Sequence, residues 1–151
     1  MTYDTFIDEL LTYLPELRAY DEGTLNCLDA DPPLPHVVLG SLLLPFLEIA
    51  LSTGDLKHTL KTCAFLEEAS VSAKRDRALR KLVSTEVGEW LSHSPMEPKI
   101  SPWLGTETKL LCNYSPSHLM QQHKSQDENA HKSLTSRARS IWNNLRKVGA
   151  K

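Results

Sequence analysis

The chain has 151 residues, 40% of them hydrophobic and 24% charged, with a formal net charge of −2 and a pI near 6.3. That length supports one domain with a real core, and the charge lacks the basic footprint of a dedicated nucleic-acid binder. The average conceals a gradient: residues 1–35 carry eight acids against Arg18 alone, a net of −7, whereas the last 51 residues carry eight bases and three acids, a net of +5.

Phe6, Ile7, Leu10, Leu11 and Leu14 recur at helical spacing and predict an amphipathic helix over residues 4–14, with Thr2 or Asp4 as its cap. Pro15 opens a second short turn through Tyr20, ended by Gly23. The stretch Cys27 to Pro35 holds two aspartates and three prolines, which cannot propagate a helix and read as a stiff extended loop. Pro35 suits the first position of a third helix, because its missing N–H would have no partner there. That helix runs to Thr53 with Gly54 as its stop, and Pro45 predicts a kink by removing a bond to the Ser41 carbonyl.

Asp55 caps the next helix, to about Ser70, with Leu56, Leu60, Cys63, Ala64 and Phe65 as its apolar positions. From about Ala73 to Ser92, Leu79, Leu82, Val83, Val87, Trp90 and Leu91 share one face, and Lys74, Arg75, Arg77, Lys81 and Glu89 read as its solvated side. Pro95, Pro98 and Pro102 predict a linker from about His93 to Gly105. Thr106 then caps a short helix through Asn113 that uses Leu110 and Leu111 as contacts. Beyond a polar stretch, Ala138, Ile141, Trp142, Leu145 and Val148 mark a basic amphipathic helix ended by Gly149. No strand-like alternation persists, so the chain reads as all-α: six or seven helices, antiparallel neighbours joined by short turns at Gly54 and near Val71–Ser72. They form either a compact bundle or a stack of helix pairs. A helical core domain over residues 1–113 is followed by a polar segment and basic helix over 114–151.

The apolar run Val37 to Leu47 is interrupted by Gly40, Ser41 and Pro45 and falls short of the roughly 20 apolar residues of a bilayer span, so no membrane association is expected. The acidic amino end lacks the parts of a signal peptide, which points to the cytoplasm. Cys27, Cys63 and Cys112 are odd in number and widely spaced, and read as reduced thiols, Cys63 as a small core residue.

Phosphate-binding glycine loops are absent, and the six histidines offer no metal-binding pair; His118 and His123 fall on different helix faces. No cofactor and no metal are expected. Glu67, Glu68, Glu86 and Glu89 read as exposed polar faces, and His36 as a structural group against the loop Asp29 to Pro35. The acidic first third is the informative surface: with its proline-stiffened loop it offers a pre-ordered negative patch, which attracts a positive protein partner. The contacts expected there are Glu16, Asp21, Glu22, Asp29 and Asp31.

The segments FIDELLTYLPEL, LPHVVLGSLLLPFLEIAL, LKTCAFLEEAS, STEVGEWL and LGTETKLLC, over about residues 5–113, resemble a family of small helical bacterial immunity proteins. These are cytoplasmic proteins of contact-dependent inhibition and other polymorphic toxin systems, with armadillo- or HEAT-like stacked helices. The resemblance implies a non-enzymatic protein that binds a cognate toxin domain, in some cases a ribonuclease, and covers its active site. A nuclease must offer positive groups to a phosphate backbone, which an acidic inhibitor can occupy. The alternative is a helical adaptor or nucleic-acid-associated module using the basic tail Lys132 to Lys151, although direct nucleic-acid binding is disfavoured. A third reading, a small hydrolase built on Cys63 or a histidine, requires turnover by the protein alone.

Overall fold

Phe6, Leu10 and Leu11 bury one side of α1 (Phe6–Tyr13), and the Leu14 N–H closes its last turn on the Leu10 carbonyl at 2.8 Å. Neither Thr2 nor Asp4 is the cap: Thr5 holds that position, and its amide meets the Thr2 hydroxyl at 3.3 Å. Pro15 then precedes α2 (Glu16–Glu22), which Gly23 follows. The computed structural model describes residues Met1–Ser115, and among them all regular structure is helical. The basic helix expected near the carboxyl end lies outside the described residues.

After α2 the chain makes one 3₁₀ turn at Cys27–Asp29, within a stretch expected to be extended, and Ala30 and Leu34 have extended dihedrals. α3 (Pro35–Thr53) begins at Pro35 and stops at Gly54, whose φ of +73° is left-handed. The interruption expected from Pro45 takes the form of a π-helical turn, Val38–Leu43, in which the Leu44 N–H reaches back to the Leu39 carbonyl. Widening the ladder to i→i+5 just before the proline gives its ring room that an α-turn would deny. At 19 residues and a mean hydropathy of 1.6, α3 is long and apolar enough to cross a membrane by those two measures. In the fold, Val38, Leu39, Leu42, Leu43 and Leu47 of this helix are fully buried in the core.

Asp55 accepts the His58 N–H at 3.1 Å and starts α4 (Leu56–Ser72), the helix about which the others pack: it touches α1, α3 and the two helices described below that bracket it. Its register differs from the expected one. Leu56 and Leu60 are 55% and 49% exposed and Ala64 is exposed, while Thr59, Thr62, Cys63, Phe65, Leu66, Ala69 and Ser70 face inward. Phe65 fixes that choice by packing against Phe6 at 5.5 Å and Tyr13 at 5.9 Å, and the short hydroxyl side chains allow close helix contact. Ser70 Oγ meets its own hydrogen-bonding need on the Leu66 carbonyl at 2.7 Å.

α5 (Arg77–His93) starts later than the periodicity suggests, because the Asp76 carboxylate accepts the N–H groups of Ala78 and Leu79 and leaves Ala73–Arg75 as a turn. Leu79, Leu82, Val83, Val87 and Leu91 enter the core as expected. Trp90 is half-buried and donates its Nε1–H to Glu48 of α3 at 2.7 Å. His36 does not meet its neighbouring loop: its Nδ1 lies 2.8 Å from Glu86 Oε1 on α5, so Glu86 is no idle surface group.

The expected linker is a packed segment. Pro98 sits in the first turn of α6 (Glu97–Ile100), and Glu97, Ile100, Ser101 and Leu104 are buried. α7 (Thr106–Leu111) docks on α4 and α5 through buried Thr108, while Leu110, expected as a core contact, is 69% exposed. Thr106 does not cap this helix. Glu67 of α4 does so by accepting the N–H groups of Glu107 and Thr108, each at 2.9 Å, and the Thr108 hydroxyl at 2.9 Å. The result is an all-α bundle.

Candidate functional site

The loop that leaves α2 is wound around Asp21. That side chain is 2% exposed; Oδ1 accepts the Cys27 N–H at 2.7 Å and Oδ2 the Leu28 N–H at 2.8 Å. Its backbone carbonyl accepts from Thr24 and Asn26 at 2.9 and 3.1 Å. Burial, then the nearby Asp21 charge, raises the Cys27 thiol above its usual range. Asp21, expected as a partner contact, is thus an internal clamp with both oxygens engaged. Asn26 completes the reversal with a φ of 52°, which asparagine tolerates.

Glu16 also turns inward. Its Oε1 lies 3.3 Å from Lys61 Nζ and 3.5 Å from His58 Nε2, which ties the start of α2 to the start of α4. Its own backbone amide, then Lys61 and His58, hold its carboxyl below the ordinary value against the effect of burial. His58 Nδ1 is 2.6 Å from Asp55 Oδ2, and because a carboxylate only accepts, Nδ1 carries the hydrogen in that bond. The edges of Phe46 and Tyr20 close the corner, with Phe46 5.4 Å from each of the His58 and Tyr20 rings. A histidine between two carboxylates has the parts of a base and its orienter, yet Nε2, the nitrogen that would take a proton, is a buried atom.

Glu22, Asp29 and Asp31 are exposed, and none of them meets a cationic side chain within ion-pair range among the described residues. Leu25 and Leu34, on the same pinned loop, are 62% and 57% exposed, and Val37 at the start of α3 is 41% exposed. A leucine at each end of a loop, in contact with water although Asp21 pins residues 24–28, is a ready apolar anchor for another protein. The signal was present in the sequence as Leu25 and Leu34 among polar and proline residues, but only the fold shows that neither reaches the core.

Cys63 is 3% exposed, and burial pushes its thiol up to about 12, so it is a protonated core residue at neutral pH and a poor nucleophile. Burial likewise raises Cys112 to about 11. Among the described residues no group of His, Cys, Asp and Glu is arranged to hold a metal. The basic stretch Lys132 to Lys151 lies outside the described residues. No family model, no curated protein and no solved structure matches the chain.

Proposed function

We propose that this chain is a cytoplasmic immunity protein, a non-catalytic inhibitor that binds a cognate antibacterial toxin domain of ribonuclease type and covers its active site. The observation that carries the reading is the loop pinned at its start by Asp21, which carries exposed Leu25 and Leu34 with Glu22, Asp29 and Asp31, three acids that make no ion pair among the described residues. The two leucines, 62% and 57% exposed, each contribute about 1 to 2 kcal/mol if fully buried by a partner. The carboxylates add speed and orientation toward a basic surface, which a nuclease cleft provides. A loop already ordered loses less conformational freedom on binding than a mobile one, so more of that contact energy appears as affinity. The resemblance of residues 5–113 to immunity proteins supports the same class of function.

The test pairs the chain with the toxin domain encoded beside it. Coexpression restores growth, and the purified chain suppresses nuclease activity at a one-to-one ratio. Leu34→Asp weakens binding about ten-fold or more, with an unchanged thermal midpoint, and Asp29→Lys with Asp31→Lys slows association at low salt. An adjacent gene without a toxin domain, or absence of rescue by the wild-type chain, overturns the function. Rescue that is indifferent to both sets of variants removes this loop as the binding face.

A further inference from the structure

A second site stands apart from that loop. The turn after α4 and the first half of α5 carry Lys74, Arg75, Arg77, Arg80 and Lys81, and among the described residues only Lys74 of these meets a carboxylate, with Nζ 2.8 Å from Glu107 Oε1. Asp76, in their midst, directs its oxygens at the N–H groups of Tyr3, Ala78 and Leu79. With Glu67, Asp76 and Glu107 the nearby carboxylates, the five bases leave a modest net positive charge here. A cavity of about 320 Å³ opens here between α4, α5 and α7. Lys74, Arg80 and Glu107 line it with Ser70 and Ser84, whose hydroxyls donate to the Leu66 and Lys81 carbonyls, and Leu110 and Leu111 of α7 form an apolar side. Arg80 Nε donates to the Ala73 carbonyl at a long 3.4 Å, and among the described residues its guanidinium meets no carboxylate.

We propose that this cavity binds a small phosphorylated ligand, with the phosphate between Arg80 and Lys74 and the body of the molecule against Leu110 and Leu111. The volume lies at the small end of the range for ligand pockets, and a guanidinium fork matches phosphate oxygens two at a time. Glu107 is the internal competitor: Lys74 meets the phosphate by leaving that carboxylate. Arg75 and Arg77 share Lys74 but face a neighbouring hollow of about 610 Å³, so they separate a built site from general surface attraction.

The experiment titrates the full chain with adenosine 5′-monophosphate, and separately with inorganic phosphate, following backbone amide resonances. Both probes shift the amides of Ser70 and Ser84. Arg80→Gln and Lys74→Met each weaken the nucleotide about ten-fold, Glu107→Gln tightens it a few-fold, and Arg75→Gln changes it less than about two-fold. Absence of any shift at about 10 mM probe overturns the site. So does an equal loss from Arg75→Gln and Arg80→Gln, or weaker binding by Glu107→Gln. All these side chains are solvent-facing or only partly covered, so thermal melts of the variants verify that the fold is kept.

Discussion

Gly105 lies so close to Glu67 that a Cβ added to the glycine would overlap the carboxyl group that caps α7. One interaction thus depends on a side chain in α4 and on the lack of one ahead of α7. Gly105→Ala and Glu67→Ala should each cost about 1 to 2 kcal/mol, the range of a lost helix cap, and the double variant should cost clearly less than their sum. Urea unfolding of the four proteins measures this, and strict additivity would show that the two residues act separately.

The same carboxylate gives the acid limb a definite sign. Burial raises the Glu67 carboxyl, but the Glu107 and Thr108 N–H groups, the Thr108 hydroxyl and the Lys74 charge outweigh it and hold the group below its ordinary 4.5. A depressed folded value means that the stabilisation is complete above the unfolded value and is lost as pH falls through the folded one. Glu67→Gln should therefore narrow the stability difference between about pH 6 and about pH 3.5 relative to wild type. An unchanged pH dependence would remove Glu67 from the acid response.

Asp21 and its exposed neighbours should separate cleanly in mutation. Asp21→Ala leaves the Cys27 and Leu28 N–H groups, both partly buried, without their acceptor, at about 1 kcal/mol each, and should raise amide exchange through residues 24–28. Asp29→Lys and Asp31→Lys should leave the thermal midpoint nearly unchanged, because neither makes an ion pair among the described residues. Equal destabilisation by all three would contradict the division into clamp and surface.

Gly40→Ala sets two effects against each other. The new Cβ would stand 2.5 Å from Glu86 Oε2, the end of a flexible side chain that can move, and the move should break the bond to His36. Alanine gains up to about 1 kcal/mol of helical propensity over glycine. Net stability should change by less than about 1 kcal/mol, while the His36 ring ¹⁵N resonances shift markedly. Unmoved His36 resonances would show that the pair survives.

The helical periodicity of α1 and α5, the proline start and glycine stop of α3, and the Asp55 cap were legible because each depends on residues within one or two turns. The inward register of α4 was not, because Thr59, Thr62 and Ser70 look polar until Phe65 meets Phe6 and Tyr13. The segment from Glu97 to Leu104 was hidden by its prolines, since Pro98 breaks a helix interior but suits a first turn. The acidic surface was visible as a count of charges. Its division into Asp21 and Glu16, which bind within the chain, and Glu22, Asp29 and Asp31, which do not, required contacts between residues distant in sequence.

The π turn of α3 also sets how far the chain tolerates a change in length. A helix advances about 100° per residue, and the wide turn keeps Val38, Leu39 and Leu42 in phase with Leu47 and Leu51, all five facing the core. Deleting exposed Ser41 would let the ladder close as an ordinary α-helix and bring a carbonyl against the Pro45 ring. Because the wide turn already absorbs one residue, that closure would leave Pro35, His36 and the acidic loop ahead of them near their present azimuth, whereas a deletion in an α-helical part of α3 would swing them by roughly 100° about the helix axis. The wide turn is thus the one place along α3 where losing a residue keeps the azimuth of the proposed binding face, at the expense of the room it gives the Pro45 ring.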